Sequence, residues 1–229
     1  MSISIFQVDT EEVAKESADD LVGRFRSGYQ LNNNPKSLKA FRVTSEDKSL
    51  LSKLSDELGD NGRGVSEWDT KSSEKYEVFT EAKTLDVIFD GPKAIKSSMV
   101  LWGSKGKVRE CDGIKQTDDK HSDCACPSDL GARKAAARKG NGCQPSVQLY
   151  FRLRDYPELG KFSYYSGSWG LAKAIGTAEA DLEEIGGPAY GTINLKEVSF
   201  MGTDEDTGLP MEVKYTLPEV KITGAEEVF

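Results

Sequence analysis

One histidine and four cysteines are all that 229 residues contain of those two types, and all five lie between positions 111 and 143. A lone histidine leaves little material for a His-based catalytic pair or triad. The chain also lacks a phosphate-cradling Walker loop, a G-x-S-x-G elbow, an H-E-x-x-H helix and a dinucleotide-binding glycine fingerprint. Enzymatic catalysis is therefore not expected, and no small-molecule substrate is implied. No apolar run approaches the roughly 20 residues that a membrane-spanning helix needs. The start, "MSISIFQVDTEEVAKESADD", turns acidic within ten residues and has neither a basic first region nor an apolar one. That pattern predicts a chain kept in a reducing cytosol, where disulfides are disfavoured.

The hydrophobic fraction is 37% and the charged fraction 30%, enough apolar material to bury a substantial core in a soluble chain. Net charge is −8, so the surface as a whole would repel nucleic acid. The charge is uneven, however. Residues 104–143 balance to +3, whereas residues 179–229 carry −9. A mildly basic cysteine segment beside an acidic C-terminal third suits a charged protein partner at least as well as nucleic acid.

Alternating apolar residues predict strands in "SISIFQV", with Ile3 and Ile5 on one face, and in "KAFRVTS", "YEVFT", "TLDVIFD", "SMVLWG", "GKVREC" and "GKFSYYSGS". The clearest strand is "SVQLYFRLR", where Val147, Leu149, Phe151 and Leu153 share a face and Gln148, Tyr150, Arg152 and Arg154 take the other. Leu50, Leu51, Leu54 and Leu58 recur at helical spacing after Ser45, the expected N-cap, with Glu46 and Asp47 in the first turn and Gly59 as the stop. A second helix follows Ser168 and ends at Gly186 and Gly187. Two long extended stretches, "GTINLKEVSFMG" and "LPMEVKYTLPEVKITG", close the chain, and Pro218 marks an edge or a break in the second. The expected fold is α+β: a β-rich, mostly antiparallel sheet with a few helices, spanning 1–229 as one domain, with a four-cysteine zinc module inserted at 104–145.

The inserted segment reads "CDGIKQTDDKHSDCACPSDLGARKAAARKGNGC". Cys111 ends a strand, Cys124 and Cys126 precede Pro127 and a helix capped by Ser128, and Cys143 follows a glycine-rich turn. Each cysteine is thus at the end of an element or in a turn, where its sulfur can turn inward. Between Asp112 and Gly142 the only large apolar residues are Ile114 and Leu130, so a metal would replace the missing core. A structural zinc held by Cys111, Cys124, Cys126 and Cys143 is the expectation, although one residue between Cys124 and Cys126 is fewer than zinc fingers usually have. His121 is either a substitute ligand or a solvated loop residue.

Two basic groups are candidate partner-binding sites. Arg133, Lys134, Arg138 and Lys139 cluster on the helix of the cysteine segment, to meet phosphates or an acidic protein, or merely to solvate that helix. Arg24 and Arg26 flank Phe25 between glycines in "GRFRSGYQ", either to grip an anion or as part of a structural loop ahead of the turn "NNNP". Trp102, Trp169, Tyr164 and Tyr165 read as core or rim aromatics.

The ordered set "LVGRFRSGYQ", "SMVLWG", "VRECDG", "CACP", "PSVQLYFRL" and "SGSW" resembles the recombination directionality factors of actinobacteriophages that use large serine integrases. The resemblance implies a non-enzymatic accessory protein in the cytoplasm of the bacterial host. Such a factor binds the DNA-bound integrase through that enzyme's C-terminal region and coiled-coil arm, touching DNA only indirectly. It redirects the integrase from integration to prophage excision between the hybrid left and right sites. The competing reading is a zinc-stabilised protein that binds nucleic acid directly.

Overall fold

The computed structural model describes residues 20–31, 34–117, 122–203 and 208–226. The strand expected at Ile3 and Ile5 lies outside these. Eleven strands and three helices follow in the order β1 (Leu21–Leu31), β2 (Asn34–Ser45), α1 (Lys48–Leu58), β3 (Ser66–Glu67), β4 (Tyr76–Phe79), β5 (Thr84–Phe89), β6 (Ile95–Gly103) and β7 (Gly106–Cys111). Then come α2 (Leu130–Arg138), β8 (Gln144–Leu153), β9 (Lys161–Ser166), α3 (Trp169–Ile185), β10 (Ala189–Thr203) and β11 (Pro210–Ala225). The architecture is the expected sheet-rich α+β one. All pairings are antiparallel except β1 with β9.

The strands order as β11-β10-β5-β8-β9-β1-β2-β4-β3, and β6, bearing β7 on its far edge, also pairs with β8. Strand β8 makes this possible by dividing one edge between two neighbours. Its first half pairs with β6, from Gln144↔Val100 to Leu149↔Ile95, and its end pairs with β5 at Arg152↔Ile88 and Leu153↔Val87. The β6–β7 hairpin is thereby carried off the main run of the sheet, with the cysteine segment at its end.

Strand β8 alternates as its sequence requires, burying Val147, Leu149, Phe151 and Leu153. Around Phe151 the rings of Phe25, Phe89 and Phe162 pack at centroid distances of 5.6, 6.5 and 6.4 Å, mostly edge to face or tilted. Phe25 is therefore a core strand residue, not a loop anchor. The glycines beside it had suggested a loop, but Gly23 serves close approach: a Cβ there would stand 3.0 Å from the Thr44 carbonyl oxygen and 3.4 Å from the Phe162 ring. The β1–β2 ladder runs to Leu31↔Asn34, so the chain reverses where "NNNP" predicted.

Helix α1 buries Leu50, Leu51 and Leu54 against this core, and Gly59 ends it with φ 68°. Its cap is Asp47, not Ser45: Asp47 Oδ1 accepts hydrogen bonds from the Ser49 and Leu50 backbone N–H groups at 2.7 and 3.2 Å. Ser45 still belongs to β2, and its hydroxyl donates to the Val22 carbonyl oxygen at 2.6 Å. A similar shift, by one position, occurs at α2, where Asp129 caps Ala132 N–H in place of Ser128. In α3 the cap is Ser168 as expected, and Leu171, Ile175, Ala178 and Leu182 face the core. Strand β11 is terminal in the sheet order and passes Pro218 unbroken, opposite Leu195.

Phe151→Ala removes the ring on which the aromatic cluster converges. Denaturant unfolding is expected to show a loss of about 3–5 kcal/mol, the range for truncating a buried aromatic.

Candidate metal centre

Strand β7 delivers Cys111 fully buried, paired with Met99 across the hairpin. The chain then turns on Asp112, whose Oδ1 accepts from the Ile114 and Lys115 backbone N–H groups, both at 2.7 Å. Ile114 offers its carbonyl oxygen to Cys124 N–H at 2.7 Å, which brings Cys124 back beside Cys111. Helix α2 follows, and its end is closed by Asn141 and Gly142 N–H groups donating to the Ala136 carbonyl oxygen at 3.1 Å. Cys143, buried, then leads directly into β8.

The sulfurs of Cys111, Cys124 and Cys143 all lie within 4.8 Å of one another. Cys126 stands beside them. Its Sγ accepts the Cys143 backbone N–H at 3.2 Å. Of the four cysteines expected from spacing, three bring their sulfurs together and Cys126 adjoins them through the Cys143 backbone. His121 lies outside the described residues.

Arg109, which no motif in the sequence marks, completes the surroundings. Its Nε donates to Cys143 Sγ and its Nη2 to Cys126 Sγ, both at 3.4 Å. The hydrogen bond to Cys143 holds the guanidinium's pKa above its ordinary value. Burial, reinforced by contact with Cys124, pushes the Cys111 thiol up to about 12. Burial also raises Cys143, against the pull of Arg109. Cys126 moves the other way: burial opposes ionisation, but the Cys143 N–H, the neighbouring thiols and Arg109 together lower its pKa. Four soft sulfur donors, a backbone N–H and a guanidinium aimed at two of the sulfurs fit a metal that binds thiolates. The cation and N–H donors offset negative charge that four thiolates bring to one divalent ion.

The structure does not gather the partner candidates into one patch. Arg24 Nε and Arg26 Nη2 each lie 2.9 Å from a carboxylate oxygen of Glu74, and Arg26 Nε also donates to Thr44 Oγ1 at 3.0 Å. The pair is therefore engaged by its own chain, with Arg26 stacked 5.0 Å from the Trp68 ring. Arg133 is a staple of the cysteine segment: its Nε donates to Pro127 O and its Nη2 to Gly113 O, both at 2.8 Å. Lys134 lies 5.8 Å from the Trp169 ring, while Arg138 and Lys139 are at the exposed end of α2. Of the aromatics weighed from the sequence, Tyr164 is core, and Tyr165 and Trp102 are about half exposed.

A family model described as Gp3-like, recombination directionality factor-like, matches residues 22–219. The chain belongs to this recombination directionality factor-like family. The match takes in the core strands, the cysteine cluster and most of β11. No solved structure matches the chain. Among the described residues, no helix is long and apolar enough to cross a membrane.

Arg133→Ala removes two charge-assisted hydrogen bonds to carbonyl oxygens at two points within the cysteine segment. Limited proteolysis is expected to cleave between residues 112 and 142 at least about tenfold faster, as a loss of roughly 1.5–3 kcal/mol per such bond predicts. An unchanged cleavage rate would remove the structural role assigned to this arginine.

Proposed function

We propose that this protein binds a phage large serine integrase on its DNA sites and switches recombination toward prophage excision, disfavouring integration. The match to the directionality-factor family over residues 22–219 is the observation that supports this reading most directly. In thermodynamic terms the factor must bind the integrase more tightly in the arrangement that joins the hybrid left and right sites, because equal affinity for both arrangements shifts nothing. The partner region in this reading is the integrase's C-terminal part with its coiled-coil arm, in the cytoplasm of the bacterial host. DNA is reached through that partner, consistent with a net charge of −8.

The reading assigns no catalysis to this chain. The cysteine cluster is proposed to hold a structural zinc through Cys111, Cys124, Cys126 and Cys143. A closed set of four protein sulfurs leaves no open position for a reacting water. The metal would supply cohesion that the polar segment between its ligands lacks, joining the end of β7 to the start of β8.

Elemental analysis is expected to find about one zinc per chain. Chelation, or Cys124→Ser, should then make residues 112–142 sensitive to protease. Protein free of metal, or a Cys124→Ser segment as resistant as the wild type, would overturn the zinc assignment. For the function, purified protein added to its cognate integrase should raise excision and lower integration, with the two proteins co-eluting. Direct binding to attachment-site DNA without integrase, weakened when Arg138 and Lys139 become Ala, would favour the nucleic-acid reading instead.

A further inference from the structure

Strand β10 pairs with β5 only through residues 189–194. Its continuation pairs with β11 alone, up to Thr203↔Pro210. Residues 198–203 and 210–215 thus form a two-stranded ribbon that extends beyond the shared sheet. The pairs Val198↔Tyr215, Phe200↔Val213 and Gly202↔Met211 fix which side chains share a face. That face is wholly apolar. Phe200 and Tyr215 meet edge to face at 6.4 Å, yet Phe200 is 49% exposed and Met211 and Tyr215 are each 43% exposed. The other face carries exposed Met201 beside polar side chains: Ser199 Oγ donates to Glu212 at 2.8 Å, and Lys214 pairs with Glu212 at 2.7 Å.

A two-stranded ribbon is marginal in water unless its apolar side is covered. Here the apolar side runs on into a groove of about 350 Å³ lined by Tyr215, Leu217, Trp169, Lys173 and Lys134. Leu217 closes its floor, so near Gly170 that a Cβ there would lie 2.4 Å from its Cδ1. The groove contains no carboxylate, and the two lysines at its rim have none within ion-pair distance among the described residues. An apolar strip with unpaired ammonium groups at one end, on a protein that is otherwise acidic, is complementary to an apolar stripe flanked by carboxylates. The free backbone groups of the ribbon lie at its edges, whereas its face offers apolar side chains, the kind of surface on which an amphipathic helix is laid.

We propose that the β10–β11 ribbon and the groove at the start of α3 form the docking face for the recombinase, taking an amphipathic helix with acidic residues beside its apolar stripe. This rests on the reading of the protein as a recombinase-binding factor. It replaces Arg24, Arg26 and Arg133 as the contact surface, since those side chains hold their own chain together, and it keeps Lys134.

The test measures affinity of the full-length, zinc-loaded protein for purified cognate integrase. The variants are Phe200→Ser with Tyr215→Ser, Lys134→Glu with Lys173→Glu, and Met201→Ser on the opposite ribbon face. The first is expected to lose about 100-fold in affinity, as central aromatic anchors do, with unfolding temperature unchanged. The lysine pair should lose about tenfold and flatten the salt dependence, and Met201→Ser should bind as wild type. Folded ribbon variants that bind like wild type would overturn the docking face while leaving the proposed function standing. Wild-type protein that fails to bind integrase at all would overturn both. Sedimentation supplies the remaining outcome: self-association abolished by the ribbon variants, with integrase affinity intact, would assign the face to a second copy and refute the proposal.

Discussion

Strand β8 is hydrogen-bonded along both edges, and one edge is shared between β5 and β6. Most of the architecture follows from that sharing. Its inward residues are fully or almost fully buried and hold the aromatic cluster, so its position is fixed by the largest block of apolar burial in the molecule. Because β5 takes only the last two residues of the shared edge, β6 must diverge, and β7 diverges with it. The cysteine segment leaves from the end of β7 and returns at Cys143, one residue before β8 begins. The cluster therefore ties a polar excursion to the start of a strand that is buried in the core.

This coupling explains why the cysteine segment needs so little hydrophobic surface of its own. Helix α2 has no buried residue, and its hydrophobic content is mostly alanine. Arg133 bridging Pro127 and Gly113, Arg109 bridging Cys143 and Cys126, and the Ile114–Cys124 backbone bond hold the segment by polar contacts converging on the sulfurs. Such contacts are individually modest and break together when their common centre is lost. A thiolate-binding cation at that centre would make them cooperative, which is the physical case for a structural metal.

Period-two and period-3.6 patterns made the strands, the helices and the inward face of β8 legible, since burial on one side leaves a repeat in the residue order. The cysteine cluster was suggested by spacing, because Cys111 ends a strand, Cys143 precedes one, and Cys124 and Cys126 lie in the loop between. What the sequence did not show depends on partners distant in the chain. Glycine beside Arg24 read as a loop signal, but Gly23 is there because Thr44 and Phe162 come too close for a side chain. Arg24 and Arg26 read as an anion grip or a structural loop, and neither reading named Glu74, 48 residues beyond Arg26, which engages both. Ser45 and Ser128 are good caps by residue type, yet an aspartate one or two positions later competes for the same N–H groups and takes them. The ribbon was visible as two long extended stretches, but its projection past β5 depends on where that neighbour ends.

The projecting ribbon also bears on how the proposed redirection of a recombinase would work. Moving a two-state equilibrium from 1:99 to 99:1 takes about 5.5 kcal/mol of differential binding. At about 25 cal/mol per Å² this corresponds to roughly 220 Å² of apolar surface buried in one recombinase arrangement and not in the other. Fully burying an aromatic side chain removes about 150–250 Å², so the still-exposed halves of Phe200 and Tyr215 supply most of that area, and Met211 adds to it. The proposed face is thus large enough to act as a switch without catalysis or a DNA contact of its own, provided that one recombinase arrangement hides the helix it would cover. Rigidity then matters as much as area. Leu217 against Gly170 fixes the base of the ribbon to α3, and α3 in turn is held in the core by Leu171, Ile175, Ala178 and Leu182. Fixing the base reduces the entropy lost when the ribbon is covered, which leaves more of the burial free energy to discriminate between the two arrangements.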